Sequence, residues 1–322
     1  MKQQIYELYD IIKSKVDPLD IRNKSEKTRA LMALGVVSLF WGTTWFASKK
    51  GVAYISGIQM AGLRQLIGGS VYLIFFTIKG YGLPTKKHFI QLIWMSFLMF
   101  VISNGFTTWS MEYIPSGLGA VIGATSPIWI ALFSALFFKG ARFNLVTILG
   151  LLMGFGGIMI IFSDYMEAML ESKFTFGIIL GVIAAITWAL GSLYTARHAE
   201  SGNPYYSMGW QMFLSGIILT ITAKTTGQYT DIDKINPVVW YSISYLVITG
   251  SVISFAAFIY MLKRLPAAQS SIYAYINPIV AVILGSFLNN ERLSTIIIAG
   301  TCVTLIGVYM VNMGFRKNSN TN

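Results

Sequence analysis

Charge is scarce in this sequence. Asp, Glu, Lys and Arg make up 11% of its 322 residues, and only 13 of them are acidic. Five acids precede residue 30 and the others fall in links between apolar runs or at run ends, which leaves no carboxylate placed for a proton relay through a bilayer core. The two histidines, His88 and His198, also sit at run ends. A single cysteine, Cys302, excludes an intrachain disulfide and a cysteine-based zinc site. No metalloprotease helix, nucleotide-binding loop or nucleophile with a nearby base is visible in an apolar run, so the sequence implies neither an enzyme nor a metal nor a cofactor.

Apolar residues take the place of charge. They form 55% of the chain, and the mean hydropathy is +0.62, which a soluble domain of this length could carry only with a very large exposed apolar surface. The net charge of +11 does not mark a nucleic-acid partner, because the Lys and Arg residues lie mostly in short links and form no basic stripe. They read as topology signals instead.

Ten apolar runs, at residues 30–48, 57–78, 89–110, 116–138, 143–162, 174–196, 205–224, 238–262, 267–288 and 294–313, are each close to the ~20 residues a helix needs to cross ~30 Å of hydrocarbon. The sequence therefore predicts an all-α integral membrane protein of ten transmembrane helices, with the lipid bilayer as its first partner. With the N-terminus inside, 17 of the 24 Lys and Arg residues are cytoplasmic and 6 are outside, which places both termini, including a short tail at 315–322, in the cytoplasm of a plasma-membrane protein. Residues 1–29 carry Ile5, Leu8, Ile12, Val16 and Leu19 at helical spacing. They read either as an amphipathic helix on the cytoplasmic surface or as a solvated tail, since Pro18 and five acids weaken the membrane-binding pattern.

The runs repeat. Trp41, Gly62 and Gly69 return as Trp188, Gly209 and Gly216, each 147 residues on. Val101, Ser103, Pro115, Pro127 and Ile128 return 151 residues on as Val252, Ser254, Pro266, Pro278 and Ile279, and Gly150 and Gly157 return as Gly300 and Gly307. Residues 30–165 and 174–314 thus form two repeats of five spans, and an odd number of spans turns the second upside down. Inverted repeats are a transporter architecture, with the substrate path at their interface near the midplane.

Candidate path residues follow from that layout. Pro127 and Pro278 interrupt the fourth and ninth runs, beside Thr125 and Ser126 in one and Tyr273, Tyr275 and Asn277 in the other. The freed carbonyls of Gly123 and Ala274 would add acceptors there; a kink that only improves packing is the alternative. Trp41, Trp45 and Ser48 share one face of the first run, and Trp188, Ser192 and Thr195 share the matching face of the sixth, as a cavity for an organic solute or ordinary helix packing would each require. Thr44 and Asn104 are further polar candidates in the first and third runs. Arg64 lies about 10 Å inside the second run, where a charge costs on the order of 2.5–3.5 kcal/mol unless it is paired or reaches water. It could bind a substrate carboxylate, pair with Glu112 or snorkel outward; Gln211 holds the matching place in the second repeat. Gly119-x-x-x-Gly123, Gly150-x-x-x-Gly154 and Gly177-x-x-x-Gly181 would let helix backbones approach, within one chain rather than between chains, with a homo-oligomer left open.

Ser251, the turn before Pro266, Asn277-Pro278-Ile279-Val280-Ala281 and Glu291-Arg292-Leu293 resemble the second half of EamA transporters of the drug/metabolite transporter superfamily. Phe40-Trp41-Gly42-Thr43, Arg64, Pro127-Ile128 and Trp188-Ala189-Leu190-Gly191 are similar to the family's motifs in both halves. The resemblance covers about residues 30–313. It implies a ten-helix inverted repeat around a central cavity and export of amino acids, other metabolites or drugs. One departure stands out: where the family often has an acid aligned with Glu291, this chain has Gly140. The expected function is secondary transport of a small-molecule substrate, and the competing class is a non-transporting membrane receptor or scaffold.

Overall fold

The computed structural model of the chain describes residues 25–137, 144–197, 202–265, 270 and 272–319, with the side chains of 135, 196, 197 and 315–319 excluded. Most of the amphipathic N-terminal segment, Gly140, Arg142, His198 and Pro266 lie outside the described residues. Within them the fold is helical throughout: α1 Glu26–Gly51, α2 Gly57–Ile78, α3 Lys86–Ser110, α4 Ser116–Gly123, α5 Ser126–Phe137, α6 Leu145–Asp164, α7 Ser172–Arg197, α8 Pro204–Thr225, α9 Pro237–Leu262, α10 Tyr273–Asn289 and α11 Thr295–Ser319. One short turn of helix, Met166–Met169, links α6 to α7.

Eight helical stretches are long and apolar enough to cross a membrane, and α10 is a shorter apolar helix. Large side chains such as Leu152, Met159 and Phe287 stand fully outward on them, as a lipid-facing surface requires. The chain is a multi-pass membrane protein.

Local chemistry sets the helix ends. Ser56, Asn144, Asn203 and Asn236 accept hydrogen bonds from backbone N–H groups in the first turns of α2, α6, α8 and α9, and Pro204 and Pro237 stand where a missing N–H costs nothing. At the ends of α2 and α8 the chain turns through Gly80 (φ 81°) and Gly227 (φ 70°), which favour glycine. In both turns the next residue reaches back five positions, Tyr81 N–H to Phe76 O at 3.0 Å and Gln228 N–H to Ala223 O at 2.8 Å. The two caps are 147 residues apart and alike in detail.

Two antiparallel helix pairs bracket the molecule, and glycines set their separation. Gly62 and Gly69 of α2 meet Thr220 and Phe213 of α8; Gly209 and Gly216 of α8 meet Leu73 and Leu66 of α2. In the second pair, Gly150 and Gly157 of α6 meet Val311 and Thr304 of α11, while Gly300 and Gly307 of α11 meet Ile161 and Gly154 of α6. As the number rises on one helix it falls on the other, and each contact recurs with the partners exchanged. These are close backbone approaches of the kind small residues permit in membranes.

Neither α3 nor α9 is a regular α-helix. Residues Ser96–Asn104 of α3 and Leu246–Ile253 of α9 are π-helical, at matching places in the chain, and Ser254 Oγ donates to the Thr249 carbonyl five residues back at 2.6 Å. The fourth run, expected as one kinked helix, is two helices: α4 ends at Gly123 and α5 begins at Ser126.

Candidate functional site

A cavity of about 200 Å³ lies among α1, α2, α3, α4, α5, α7, α9 and α10. α1 contributes Trp41, Thr44, Trp45 and Ser48 along one face, at the 3.6-residue spacing of a helical stripe. Trp41 is the hub of an aromatic cluster. Its ring lies 6.5 Å from Trp188 of α7, 5.1 Å from Phe255 and 4.9 Å from Phe258 of α9, and 5.3 Å from Tyr273 of α10, mostly edge to face. The Trp41 Nε1–H donates to the Gly250 carbonyl at 3.1 Å, and Tyr72 Oη–H donates to the Val252 carbonyl at 2.8 Å. Both acceptors belong to the π-helical part of α9, so neighbouring side chains satisfy the irregular backbone that lipid could not.

Trp45 owes its place to two missing side chains. A Cβ at Gly119 or Gly123 would stand 3.1 or 3.2 Å from its indole. These glycines make room for a ring, where the sequence pattern predicted close approach of two helix backbones. The other two glycine pairs pack within the chain, Gly150 against α11 and Gly177 against Tyr113 and Ile114.

Arg64 is 5% exposed and lines the cavity from α2. Its Nε–H donates to Ser251 Oγ at 3.2 Å, and Gly250, where a Cβ would stand 2.9 Å from the Arg64 NH2 group, leaves room for the guanidinium. It does not pair with Glu112. That carboxylate lies in the link after α3 and accepts from the Gly57 N–H at the start of α2. Burial raises the Glu112 carboxyl above the usual carboxylate range, a shift opposed by the Gly57 bond, Tyr113 and Lys49. Lys49 is in turn held by the carbonyls of Met111 and Ile114 at 2.8 and 3.0 Å.

The broken helices meet the cavity differently. Between α4 and α5, Ser126 Oγ–H donates at 2.7 Å to the Gly123 carbonyl that Pro127 leaves without its helical donor. The expected free acceptor is therefore already engaged, although Ser126 and Pro127 both line the cavity. In α10, Pro278 sits inside a continuous helix. With its amide nitrogen turned toward them, Asn277 donates to the carbonyls of Tyr273 (3.1 Å) and Ser38 (2.7 Å), which ties the proline-bearing helix to α1. Tyr273, Ala274, Asn277 and Pro278 line the cavity together.

Asn104, whose Oδ1 accepts from Gln65 Nε2 at 2.7 Å, completes the expected residues found in the lining. Thr125, Ser192 and Gln211 are not part of it. Thr125, in the break, donates back to Ile122 O of α4, Ser192 donates to Trp188 O of its own helix, and the Gln211 carbonyl accepts from Ser96 Oγ. Sequence reasoning missed Ser103, Thr107 and Thr108 of α3, Met111 just after it, and Phe255 of α9. The α3 residues fall at helical spacing in an apolar run, and that stripe was the available signal.

At the opposite end of α10, Asn290 adopts a left-handed conformation (φ 53°), and the Glu291 N–H bonds to the Gly285 carbonyl. The turn carries the Glu291 carboxylate onto the start of α4, where it accepts from Ser116 N–H (2.9 Å), Ser116 Oγ–H (2.7 Å) and Gly117 N–H (3.1 Å), an anion at a helix N-terminus. Asp164 beside it accepts from Ser294 Oγ–H and pairs with Arg292 at 3.6 Å.

Comparison with known proteins agrees with this architecture. The chain is 31% identical over 286 residues to an uncharacterized inner membrane transporter, YedA, of Escherichia coli K12, covering 88% of this chain and 90% of that one. It is 23% identical to the uncharacterized transporter YvbV of Bacillus subtilis, covering 89% and 92%, and 26% identical to a chloroplastic WAT1-related protein of Arabidopsis thaliana, covering 85% and 67%. A protein crystal structure of 19% sequence identity superposes with a TM-score of 0.63 over 89% of this chain and 98% of its own, which shows a shared fold. The model of the EamA-like transporter family matches residues 28–163 and again 175–313, and the chain belongs to that family.

Proposed function

We propose that this protein is a secondary transporter that moves a small organic solute, a metabolite, amino acid or drug, across the plasma membrane by alternating access. In this reading ten spans form two inverted five-helix repeats. α1, α2, α3, α4 with α5, and α6 make the first repeat, and α7 to α11 make the second, with both termini in the cytoplasm. The observation that carries it is the cavity itself: both halves of the chain line it, beside helices whose backbone is irregular at the same places in each half. The antiparallel, reciprocal pairing of α2 with α8 and α6 with α11 supports the inversion, and the double family match supports the repetition. Export as the direction rests on the family resemblance alone.

A labelling experiment tests the layout. Lys79 and Thr226 are exposed, equivalent cap residues just after α2 and α8. Single cysteines there, in a chain with Cys302 replaced by Ser, should react with a membrane-impermeant thiol reagent from opposite faces, Lys79→Cys from the cytoplasm and Thr226→Cys from outside. Reaction of both from one face contradicts inverted repeats. A receptor or scaffold would keep the topology but show no solute flux in proteoliposomes.

A further inference from the structure

We infer that the solute is an organic monocarboxylate, its carboxylate held by Arg64 and its apolar body lying against Trp45, Met111, Trp188 and Phe255. This deepens the transport reading and rests on it for the identity of the site. Among the described residues Arg64 is the sole charged one in the lining. It is 5% exposed, and among the described residues no carboxylate comes within 4 Å and the Nε–Ser251 contact is its only hydrogen bond. The other four N–H donors of the guanidinium are unclaimed. Glu112 and Glu291 are engaged elsewhere, Glu112 by α2 and Glu291 by α4.

A buried cation without a counter-ion is costly, and an anion that enters beside it recovers that cost. The guanidinium fork matches a carboxylate bidentately, which a lysine could not do. Around it the wall alternates aromatic and aliphatic surface with neutral polar groups such as Thr44, Ser103, Asn104 and Thr108, and a cavity of about 200 Å³ leaves room for one small solute. Among the described residues none in the lining is acidic, so an ammonium group finds no counter-ion there. A simple carboxylic acid therefore suits the cavity better than an amine or a zwitterion.

Three isosteric probes decide this: 3-phenylpropionate, 3-phenylpropanamide and 3-phenylpropylamine, with binding to the purified full-length protein read by tryptophan fluorescence and thermal stability. The carboxylate should bind about tenfold or more tightly than either analogue, the factor of a single charge-assisted hydrogen bond. Arg64→Gln should reduce its affinity to that of the amide, and Arg64→Lys should restore part of it; elution as a monodisperse species shows that each variant is folded. Equal or tighter binding of the amide or amine overturns the proposal, as does failure of all three to bind or an unchanged carboxylate affinity in folded Arg64→Gln. Flux in proteoliposomes separates the two readings. Carboxylate that binds at Arg64 but never crosses upholds the anion site and contradicts transport, whereas flux of the amine alone upholds transport and contradicts the anion site.

Discussion

Gly307→Ala should remove most of the folded protein from the membrane, while Gly156→Ala, on the helix opposite, should leave it intact. A Cβ at Gly307 would stand 2.2 Å from the backbone N and 2.6 Å from the Cα of Gly154. Neither is a side-chain atom that can rotate away, so α6 and α11 must separate along the whole of their contact. Overpacking of this kind costs about 1–3 kcal/mol and sometimes more, on a scale where a few kcal/mol decides folding. Nothing lies within 4 Å of a Cβ at Gly156, and alanine is the better helix former by about 1 kcal/mol, so that variant should be as stable as the parent or more so. Fluorescence-detected size-exclusion chromatography of the two variants measures the difference. Comparable yields would mean that α6 and α11 do not pack as described.

Trp188→Ala and Asn277→Ala should each lower solute flux about tenfold or more, with near-normal amounts of protein in the membrane. Trp188 packs edge to face against Trp41 in the cavity wall, and its loss would leave the aromatic cluster open on the α7 side. Removing the Asn277 amide deletes its bonds to the Tyr273 and Ser38 carbonyls, about 0.5–1.5 kcal/mol each, and with them the tie between α10 and α1 beside Pro278. Ile183→Ala, outward-facing on the same helix as Trp188, is the control and should transport normally. Wild-type flux in both cavity variants would place the path elsewhere.

The spans were legible in the sequence because hydrocarbon thickness imposes a length that hydropathy reports directly. Eight of the runs reappear as helices that qualify on length and composition; the seventh, as α8, carries Gln211 and several hydroxyls that dilute its hydropathy, and the ninth appears as the short α10. Glycine register was legible as well, since the glycines at 62, 69, 150 and 157 and their counterparts are where α2 meets α8 and α6 meets α11. The π-helical turns were not. In α9 the irregular carbonyls are met by Trp41 and Tyr72 from other helices, and no local residue pattern encodes that. Hydroxyls were ambiguous for a related reason. Ser192 and Thr108 both bond back to a carbonyl four residues earlier, yet Thr108 lines the cavity and Ser192 does not, a difference of helix rotation alone.

One cavity is expected to serve both sides of the membrane in turn. Ser126→Cys, at the break between α4 and α5 and in a chain with Cys302 replaced by Ser, puts a small thiol in the lining. Its reaction with a membrane-impermeant thiol reagent, measured in right-side-out and in inside-out vesicles, is the direct test. Alternating access predicts labelling from both faces, with labelling from either face blocking the other. A thiol that reacts from one face only, or from neither, would contradict the account.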